Sequence, residues 1–475
     1  MSRINNKVCL VVPPLSLNRR YGHLGQAAGC EPPLGLCYLA SILGVEGFEV
    51  NIIDAQALRL NQDETAKMIM GIRPRYLGIS ASTMAINSAS KLADQIKELN
   101  QDIKIIVGGC HVSARPVETL LEFDSFDIGV AGEGEDTFKE LLLALNNNTD
   151  ISCIDGIARR EDGAVYVSRP RSRIKNLDTL PYPAFNLLPD INRFYRLPSQ
   201  SLLGRNSFSL VTSRGCLGRC SFCDKKVFGD YISLHSAEYI VEMMRILNKD
   251  YHISNIMFED DNFMISKQRL ESLVSLINKN KLNISWSALA RIDSIDEKSL
   301  RIAKEGGCWQ VSYGVESGCQ GVLNFNKKGI LLEQAKNVIR LTKSLGLKVK
   351  CFFIWGLPNE TRDSVRETAN FIKSLNTDDI SITFFTPYPG LQIWPRIKSY
   401  GDVDEDWNKM SCFEIVFKPH GLTKEYLAGT RKQALMDFYL NPRIIFSYIK
   451  RIKSWRQAQA LILSAYYLFR YIFTN

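Results

Sequence analysis

Three cysteines, Cys216, Cys220 and Cys223, lie within eight residues of one another, whereas the other nine cysteines of the chain are scattered. Their Cys-x3-Cys-x2-Cys spacing puts three thiolates on a loop directly after a predicted strand, where they can bind three corners of a 4Fe–4S cube. The fourth iron then stays open to a small molecule. A structural zinc ion would need four closed ligands, and neither His235 nor Cys308 completes such a set. The spacing predicts a redox cluster, with a zinc site or inert cysteines as the alternative.

The composition indicates a reducing compartment. The 475 residues suffice for two or three domains, and 45% hydrophobic with 23% charged residues is typical of globular proteins with large cores. Twelve cysteines is a low density for this length, so we expect no disulfide framework. The first ten residues lack the apolar run of a signal peptide. We therefore expect a cytoplasmic enzyme.

Residues 1–150 alternate short apolar strands with helix-length amphipathic segments. Apolar strands separated by helices predict an α/β, doubly wound (Rossmann-like) fold, in which ligands bind beyond the carboxyl ends of a parallel sheet. Strands are predicted at 8–12, 50–53, 76–79, 105–107 and 127–130, and helices at 34–43, 85–99, 116–121 and 136–145. Five glycines fall at or just after these strand ends, where the backbone can approach a ligand closely: Gly78, Gly108, Gly109, Gly132 and Gly134.

Residues 151–206 are predicted to form a hairpin, at 155–167, and a basic, proline-containing linker between domains. Six strand–helix units then follow within residues 207–410 and predict a partial (β/α)6 barrel whose active face lies at the carboxyl ends of its strands. The strands are expected at 208–212, 255–258, 284–288, 310–314, 349–353 and 380–384, and the clearest helices at 267–277, 297–303, 332–345 and 362–375. Residues 411–475 are expected to be a C-terminal helical extension.

The cysteine triplet resembles the signature of radical S-adenosylmethionine (SAM) enzymes. Segments at later strand ends match the same pattern, at 258–263, 291–293, 314–318, 356–361 and 386–390. In that superfamily the open iron chelates SAM, and reductive cleavage of SAM yields a 5′-deoxyadenosyl radical that abstracts hydrogen from the substrate. The resemblance implies that Cys216, Cys220 and Cys223 hold the cluster. It assigns further cofactor contacts to Phe222, Asp261, Arg291, Glu316 and Ser317.

Structural roles compete with some of these assignments. Glu316 follows a strand end and can cap the next helix. Asp260 and Asp261 can form a solvated turn. Segment 356–361 can be a strand-to-helix turn with Thr361 near the N-cap.

Three N-terminal segments, 32–40, 108–114 and 132–138, resemble the cobalamin-binding domain fused to one large radical SAM class. That class includes methyltransferases and the anaerobic ring cyclase of chlorophyll synthesis, and the resemblance extends to about residue 440. It implies a cobalamin site formed by Ser82, Gly108, Gly109, Gly132 and Glu133, with Ser82 and the two adjacent glycines at the nucleotide tail.

The loop that supplies a histidine to cobalt in other cobalamin domains differs in this chain, because Gln56 replaces the histidine and Arg59 a glycine. The resemblance therefore implies no imidazole from this loop below cobalt, and leaves open a side chain from elsewhere or a water. His23 and His111 are candidates, although a lone histidine more often packs or forms hydrogen bonds. A domain that has lost its cofactor, or binds another, is the alternative.

The net charge of +9 is concentrated at the C-terminus, where residues 443–475 contain six basic residues and no acidic one. The rest of the chain is nearly balanced, so we expect no nucleic-acid partner. Apolar residues recur at helical spacing among the basic ones. This composition fits an interfacial helix in peripheral contact with an anionic membrane or helices docked on the barrel. The segment is too short and interrupted to predict a transmembrane span.

Together these features predict a cobalamin-dependent radical SAM enzyme that uses a 4Fe–4S cluster, SAM and cobalamin. Methyl transfer to an unactivated carbon of a small-molecule or lipid-like substrate is the leading expectation, with an external electron donor such as flavodoxin or ferredoxin. One alternative is cyclisation, rearrangement or oxygen insertion without methyl transfer. Another is an iron–sulfur redox sensor or scaffold without turnover. The substrate stays open, because side chains at a barrel mouth vary freely on one scaffold.

Overall fold

The computed structural model describes residues 6–22, 25, 29–195 and 206–450, together with 452, 455, 458–459, 461–463 and 465–466. Seven strands form a first sheet: β1 (Lys7–Val12), β2 (Glu49–Asp54), β3 (Tyr76–Ser80), β4 (Lys104–Gly108), β5 (Ile128–Val130), β6 (Ile157–Glu161) and β7 (Ala164–Val167). Strands β1 to β5 are parallel in the order β2-β1-β3-β4-β5, which is a doubly wound arrangement. The five strands predicted within residues 1–150 are confirmed, each to within one residue at either end.

The hairpin β6–β7 extends the first sheet, because β6 pairs antiparallel with β5. The predicted hairpin is therefore present, and the sheet continues past residue 150. Nine helices flank this sheet and the segment after it in the described part of the chain: α1 (Leu17–Tyr21), α2 (Leu34–Val45), α3 (Ala55–Leu58), α4 (Gln62–Ile72), α5 (Ile86–Leu99), α6 (Cys110–Ala114), α7 (Pro116–Glu122), α8 (Gly134–Asn146) and α9 (Ile191–Phe194).

Local sequence explains where these helices form. Helix α5 buries Ile86, Ala89, Leu92 and Ile96, which recur at the three- and four-residue spacing of one helix face. Helix α4, which was not predicted, begins with a capping box in which Asn61 and Glu64 satisfy each other's backbone N–H groups. Packing of such faces against apolar strands builds the two buried layers on either side of the sheet.

The second half of the chain contains eight further strands before residue 390: β8 (Ser207–Leu210), β9 (Ser213–Arg214), β10 (Ser233–Leu234), β11 (Asn255–Phe258), β12 (Ser285–Ala290), β13 (Cys308–Glu316), β14 (Lys348–Trp355) and β15 (Asp379–Phe384). Six of them form a parallel sheet in the order β15-β14-β13-β12-β11-β8. The neighbours follow chain order and β8 does not pair with β15, so this is the predicted partial barrel.

Helices cover the outside of the barrel: α10 (Ala237–Tyr251), α11 (Lys267–Lys279), α12 (Glu297–Glu305), α13 (Gln320–Phe325), α14 (Leu332–Ser344) and α15 (Arg362–Ser374). A short antiparallel pair follows, β16 (Gly401–Val403) and β17 (Phe417–Pro419), and then α16 (Lys424–Tyr439) and α17 (Pro442–Ile449). Helix α16 buries Leu427 and Phe438 against the barrel core, whereas α17 exposes Ile445, Phe446 and Ile449. No helix among the described residues is long and apolar enough to cross a membrane. Most of the tail beyond residue 450 lies outside the described residues, and its contact with a membrane stays a prediction.

A few residues of the first half of the chain pack into the core of the barrel. Tyr38 and Ile42 of α2 belong to the same buried cluster as Phe185 and Tyr195 of the connecting segment and Phe208 of β8. The segment predicted to be a linker is therefore packed between the sheets. This packing brings the carboxyl ends of the two sets of strands toward each other.

Candidate active site

The cysteine loop leaves the barrel between β8 and α10. The short strands β9 and β10 pair antiparallel and close the two ends of the loop. Gly215 begins it with φ +85, and a Cβ at this position would overlap the carbonyl oxygen of Tyr231, so only glycine fits without a shift of the backbone. This closure holds Cys216, Cys220 and Cys223 along one wall of a cavity of about 1100 Å³.

The three cysteines are free thiols, and the pKa values of two of them are shifted in opposite directions: the pKa of Cys220 is lowered, whereas the pKa of Cys223 is raised by its hydrogen bond with Cys220 and by burial. Cys223 donates a hydrogen bond to Cys220, and this bond lowers the pKa of the Cys220 thiol. Burial opposes the shift, while the charges of Lys328 and Arg291 add to it. Arg291 Nη1 lies 3.7 Å from Cys220 Sγ, and the backbone N–H of Gly218 donates to Cys216 Sγ at 3.4 Å. Cationic and N–H donors around the sulfurs suit an anionic cluster.

The number of cysteines at the cavity fits a cluster. A 4Fe–4S cube can bind three cysteines through three of its irons and leave the fourth iron open, whereas a structural zinc site uses four protein ligands. The loop brings three cysteines to one cavity, and the described ranges contain no group of three or more His, Cys, Asp or Glu side chains that could hold a single metal ion. The residues present fit a three-cysteine cluster.

Asp260 anchors the strand that precedes the loop. Its carboxylate is fully buried and accepts hydrogen bonds from Thr212 N at 2.7 Å and Ser213 Oγ at 2.6 Å. It is therefore a structural residue, not part of a solvated turn. Asp261, the next residue, is exposed and lines the large cavity, where the resemblance placed a cofactor contact.

Glu316 ends β13 with φ +71, a left-handed conformation that is uncommon outside glycine. The register between β13 and β14 shifts at the same point. This backbone directs the Glu316 carboxylate to Lys328 Nζ at 2.8 Å, and both side chains are buried and line the cavity. Strained backbone of this kind is concentrated at functional sites.

Lys328 is a site residue that sequence reasoning missed. Its ammonium lies 5.9 Å from the ring centroid of Phe222, which also lines the cavity. Arg291 is held by a bidentate ion pair with Asp293, at 2.9 and 2.7 Å, and donates to the carbonyl of Lys328 at 3.1 Å. The only signal for Lys328 in the sequence is its place after a strand-end motif, and this does not distinguish it from Lys327.

Ser317 is predicted to contact a cofactor but is turned away from the cavity. It is completely buried, and its hydroxyl lies 3.0 Å from Thr368 Oγ1 and accepts from the backbone N–H of Cys319 at 3.1 Å. These bonds join β13 to α15. The structure therefore gives Ser317 a positioning role for the strand end that carries Glu316.

A second, mainly apolar cavity of about 300 Å³ lies at the carboxyl ends of the first sheet. Gly108, Gly109, Gly132 and Glu133, four of the residues predicted to contact cobalamin, line it; that this cavity takes the nucleotide tail stays a prediction. Gly109 has φ +105, and a Cβ would stand 2.7 Å from the carbonyl oxygen of Ala81. Glycine at this position therefore allows the backbone of the strand end to pack closely against Ala81 beside the cavity.

Glu133 lines this cavity, but its carboxylate is committed to protein partners. It lies 2.6 Å from Arg214 Nη1 and accepts a hydrogen bond from Ile174 N at 2.9 Å. Glu135 lies 2.5 Å from Arg214 Nη2. Burial by itself would lower the pKa of Arg214, but the two neighbouring carboxylates stabilise its positive charge more strongly, so its pKa is raised. The buried triad joins the first sheet to the cysteine loop.

His235 is another cavity residue that the sequence did not identify as such. Its Nδ1 lies 2.9 Å from Asp178 Oδ1 and its Nε2 3.1 Å from Tyr38 Oη. Burial lowers the pKa of His235 to about 4, although Asp178 opposes the shift, so the imidazole is neutral at pH 7. Residues of α2, the connecting segment and the barrel thus meet at the wall of the smaller cavity.

Residues of the first sheet also open into the large cavity. Ser82, which was predicted at the nucleotide tail with Gly108 and Gly109, is exposed in this cavity and does not line the glycine-lined one, and Gln56 also lines the large cavity. Asp54, at the start of the altered cobalt loop, accepts from Tyr195 Oη at 3.0 Å and from Ala57 N at 3.0 Å. The loop is therefore built into the core while Gln56 lies at the cavity surface.

Of the two histidines considered for cobalt, only His111 lies among the described residues. His111 is buried and packs edge-on against Trp407, with ring centroids 5.4 Å apart, and it lines neither cavity. The structure therefore shows His111 as a residue that packs in the interior, which was the alternative to a cobalt ligand. His23 lies outside the described residues.

Two family sequence models match this chain in the regions of its two sheets. The B12 binding domain matches residues 22–142, and the Radical SAM superfamily matches residues 210–372. The first match contains β2 to β5, and the second contains the cysteine loop and the barrel strands β11 to β14.

Similar proteins extend over almost the whole chain. PH0819 of Pyrococcus horikoshii, described as an uncharacterized methyltransferase, is 35% identical over 447 residues, which are 93% of this chain and 94% of the relative. TsrM of Kitasatospora setae, a radical SAM methyltransferase solved with tryptophan and a SAM analogue, has a TM-score of 0.69 at 18% identity, covering 92% of this chain and 90% of that one. OxsB, a cobalamin-dependent SAM radical enzyme solved with aqua-cobalamin and SAM, has a TM-score of 0.71 at 18% identity, covering 98% and 72%. The two structures show a shared fold.

Proposed function

The chain belongs to the family of cobalamin-dependent radical SAM methyltransferases that includes PH0819, and from that premise we propose that it transfers a methyl group to an unactivated carbon of a small-molecule substrate. The large cavity carries the proposal. It is lined both by the three cysteines and by Ser82 and Gln56 of the first sheet. A substrate bound in this cavity lies between the cluster site and the cobalamin site.

The residues of the chain bind and shield the reactants. Cys216, Cys220 and Cys223 would hold the cluster, and the glycine-lined cavity of the first sheet would take the cobalamin tail. When bound, the cluster and SAM supply a 5′-deoxyadenosyl radical, and cobalamin supplies the methyl group. Asp261 and Glu316, which line the same cavity, would offer carboxylate oxygens to polar groups of bound SAM.

Apolar side chains form much of the remaining wall of the cavity. Leu289, Phe352, Ile354 and Met410 all line it, and they exclude water from a reactive radical. The same wall suits a substrate with an apolar body, including a lipid-like one. Glu259 adds a polar contact; burial raises the pKa of its carboxyl well above the usual range, and Glu31 reinforces the shift.

The first test is a cofactor analysis. Protein purified and reconstituted without oxygen should contain about four iron atoms and one cobalamin per chain. The C220S variant should lose iron but keep cobalamin, because the two sites are on different sheets. Iron without cobalamin in the wild type would contradict the proposal.

The second test follows the methyl group. The reconstituted protein, a small-molecule extract and SAM with a deuterated methyl group are combined under reducing conditions. We expect 5′-deoxyadenosine, S-adenosylhomocysteine and a product that has gained the deuterated methyl. Formation of 5′-deoxyadenosine without label in any product would favour cyclisation, rearrangement or oxygen insertion. Absence of 5′-deoxyadenosine would favour a redox sensor or scaffold.

A further inference from the structure

A groove of about 790 Å³ lies on the opposite side of the cysteine loop from the large cavity. Four residues, Cys216, Gly218, Arg291 and Lys328, line both spaces and form the wall between them. Gly218 keeps this wall thin, because a Cβ at this position would overlap Arg291 Nη1. The groove therefore reaches one ligand of the proposed cluster without passing through the substrate cavity.

The groove is strongly basic. Its lining contains four basic side chains, Arg219, Arg291, Lys327 and Lys328, and one acidic one, Asp293. Asp293 is paired with Arg291, and Lys328 with Glu316 of the inner cavity. Arg219 and Lys327 are exposed, and no described carboxylate lies within ion-pair distance of either. They present positive charge on the outer face of the loop; Asp230, which Arg219 influences electrostatically, is itself ion-paired with Lys225.

The groove also contains one large apolar side chain that is exposed to solvent. Leu217 lies between Cys216 and Gly218 and has 62% of its surface exposed. An exposed apolar centre with a charged rim is typical of protein interfaces. Electron-transfer contacts are among the smallest of these and rely on electrostatic steering.

We propose that this groove is the docking site of a small, acidic, one-electron carrier protein that reduces the cluster. The inference rests on the proposed function, which requires a reduced cluster to cleave SAM. In the step at this face the carrier loses one electron and the cluster gains it, and no bond is formed or broken. The basic rim attracts an acidic carrier, and Leu217 packs against the carrier beside its redox group.

The test compares two reductants on the holoenzyme. Charge reversal by R219E, K327E and the double variant should slow cluster reduction by an acidic flavodoxin, measured by stopped-flow absorbance. We expect a loss of about tenfold for the double variant at low ionic strength, shrinking toward the wild-type rate at high salt. Reduction by dithionite, which needs no docking face, should be unchanged.

A matched control comes from Lys281. It is an exposed lysine in the loop before β12, at the other end of the barrel strands, with φ +51 against +54 for Lys327. The K281E variant should reduce at the wild-type rate with both reductants. As a readout that needs no cluster, the apo form of R219E/K327E should bind the flavodoxin more weakly than apo wild type or apo K281E.

The possible outcomes are distinct. Equal flavodoxin rates in R219E/K327E, K281E and the wild type would overturn the docking site. So would weaker SAM binding with unchanged flavodoxin reduction, because the groove would then be an entrance for SAM. If dithionite-reduced wild type forms no 5′-deoxyadenosine, the proposed function itself has failed, independently of the docking result.

Discussion

Replacing Arg214 by glutamine tests how the cobalamin-binding half is joined to the cysteine loop. The guanidinium lies 2.6 Å from Glu133 Oε1 and 2.5 Å from Glu135 Oε1. The three residues are between 5% and 9% exposed, so none of the charges is well screened by water. The R214Q variant leaves two buried carboxylates without their cation.

The expected loss of stability follows from this geometry. Removing one partner of a buried ion pair costs about 3–5 kcal/mol, because the remaining charge keeps its desolvation penalty. Each charge-assisted hydrogen bond contributes about 1.5–3 kcal/mol, and Arg214 makes two of them. We therefore expect R214Q to lower the free energy of unfolding by about 3 kcal/mol or more. The R214Q/E133Q/E135Q variant should recover part of this loss, since it leaves no buried charge without a partner.

Urea denaturation of the apo protein at pH 7 measures these differences. Tryptophan fluorescence and far-ultraviolet circular dichroism should both be recorded, because a chain of this size can unfold in more than one transition. The surface pair Arg245–Glu242, at 2.5 Å on α10, supplies the control, and R245Q should leave the free energy of unfolding close to that of the wild type, because exposed ion pairs contribute little. The reasoning is refuted if R214Q and R245Q unfold alike, or if the triple variant is less stable than R214Q.

Three further predictions concern the two cofactor sites and one buried acid. C220S should abolish iron binding while C308S, at a buried thiol remote from the loop, retains it; equal iron contents would contradict the cluster assignment. G109A should bind cobalamin at least about tenfold more weakly, with unchanged iron, because its Cβ would stand 2.7 Å from a backbone oxygen; wild-type cobalt content would argue against the glycine-lined site. Glu360 is 2% exposed, and burial raises its pKa to about 8, against about 4.3 in an unfolded chain. Between these two pH values the folded protein keeps this proton and the unfolded chain releases it, so the wild type loses stability as the pH rises through this window. The E360Q variant should therefore gain stability relative to the wild type from pH 5 to pH 9. Parallel profiles of stability against pH would disprove this.

Much of the fold and the centre of the site could be predicted from the sequence, because both depend on short-range patterns. Cys216, Cys220 and Cys223 are neighbours in the chain, so their spacing alone limits which metal group they can hold. Strands that are apolar along their whole length have no other stable place than the interior of a sheet, and all eleven strands predicted for the two parallel sheets are present. Glycines after strand ends likewise indicated where a ligand can approach the backbone.

Only the tertiary structure decided which side chains meet at that site. Arg214 and Glu133 are 81 residues apart and Lys328 and Glu316 are 12 apart, with helix α13 between the latter. Glu133 and Ser317 stand in the predicted motifs, yet their polar groups are bonded to protein partners. Position in a motif places a residue at a strand end, but the direction of its side chain and the identity of its partner depend on packing between distant segments. The same packing brings two strand ends from separate sheets to one cavity and leaves the basic face of the cysteine loop exposed outside it.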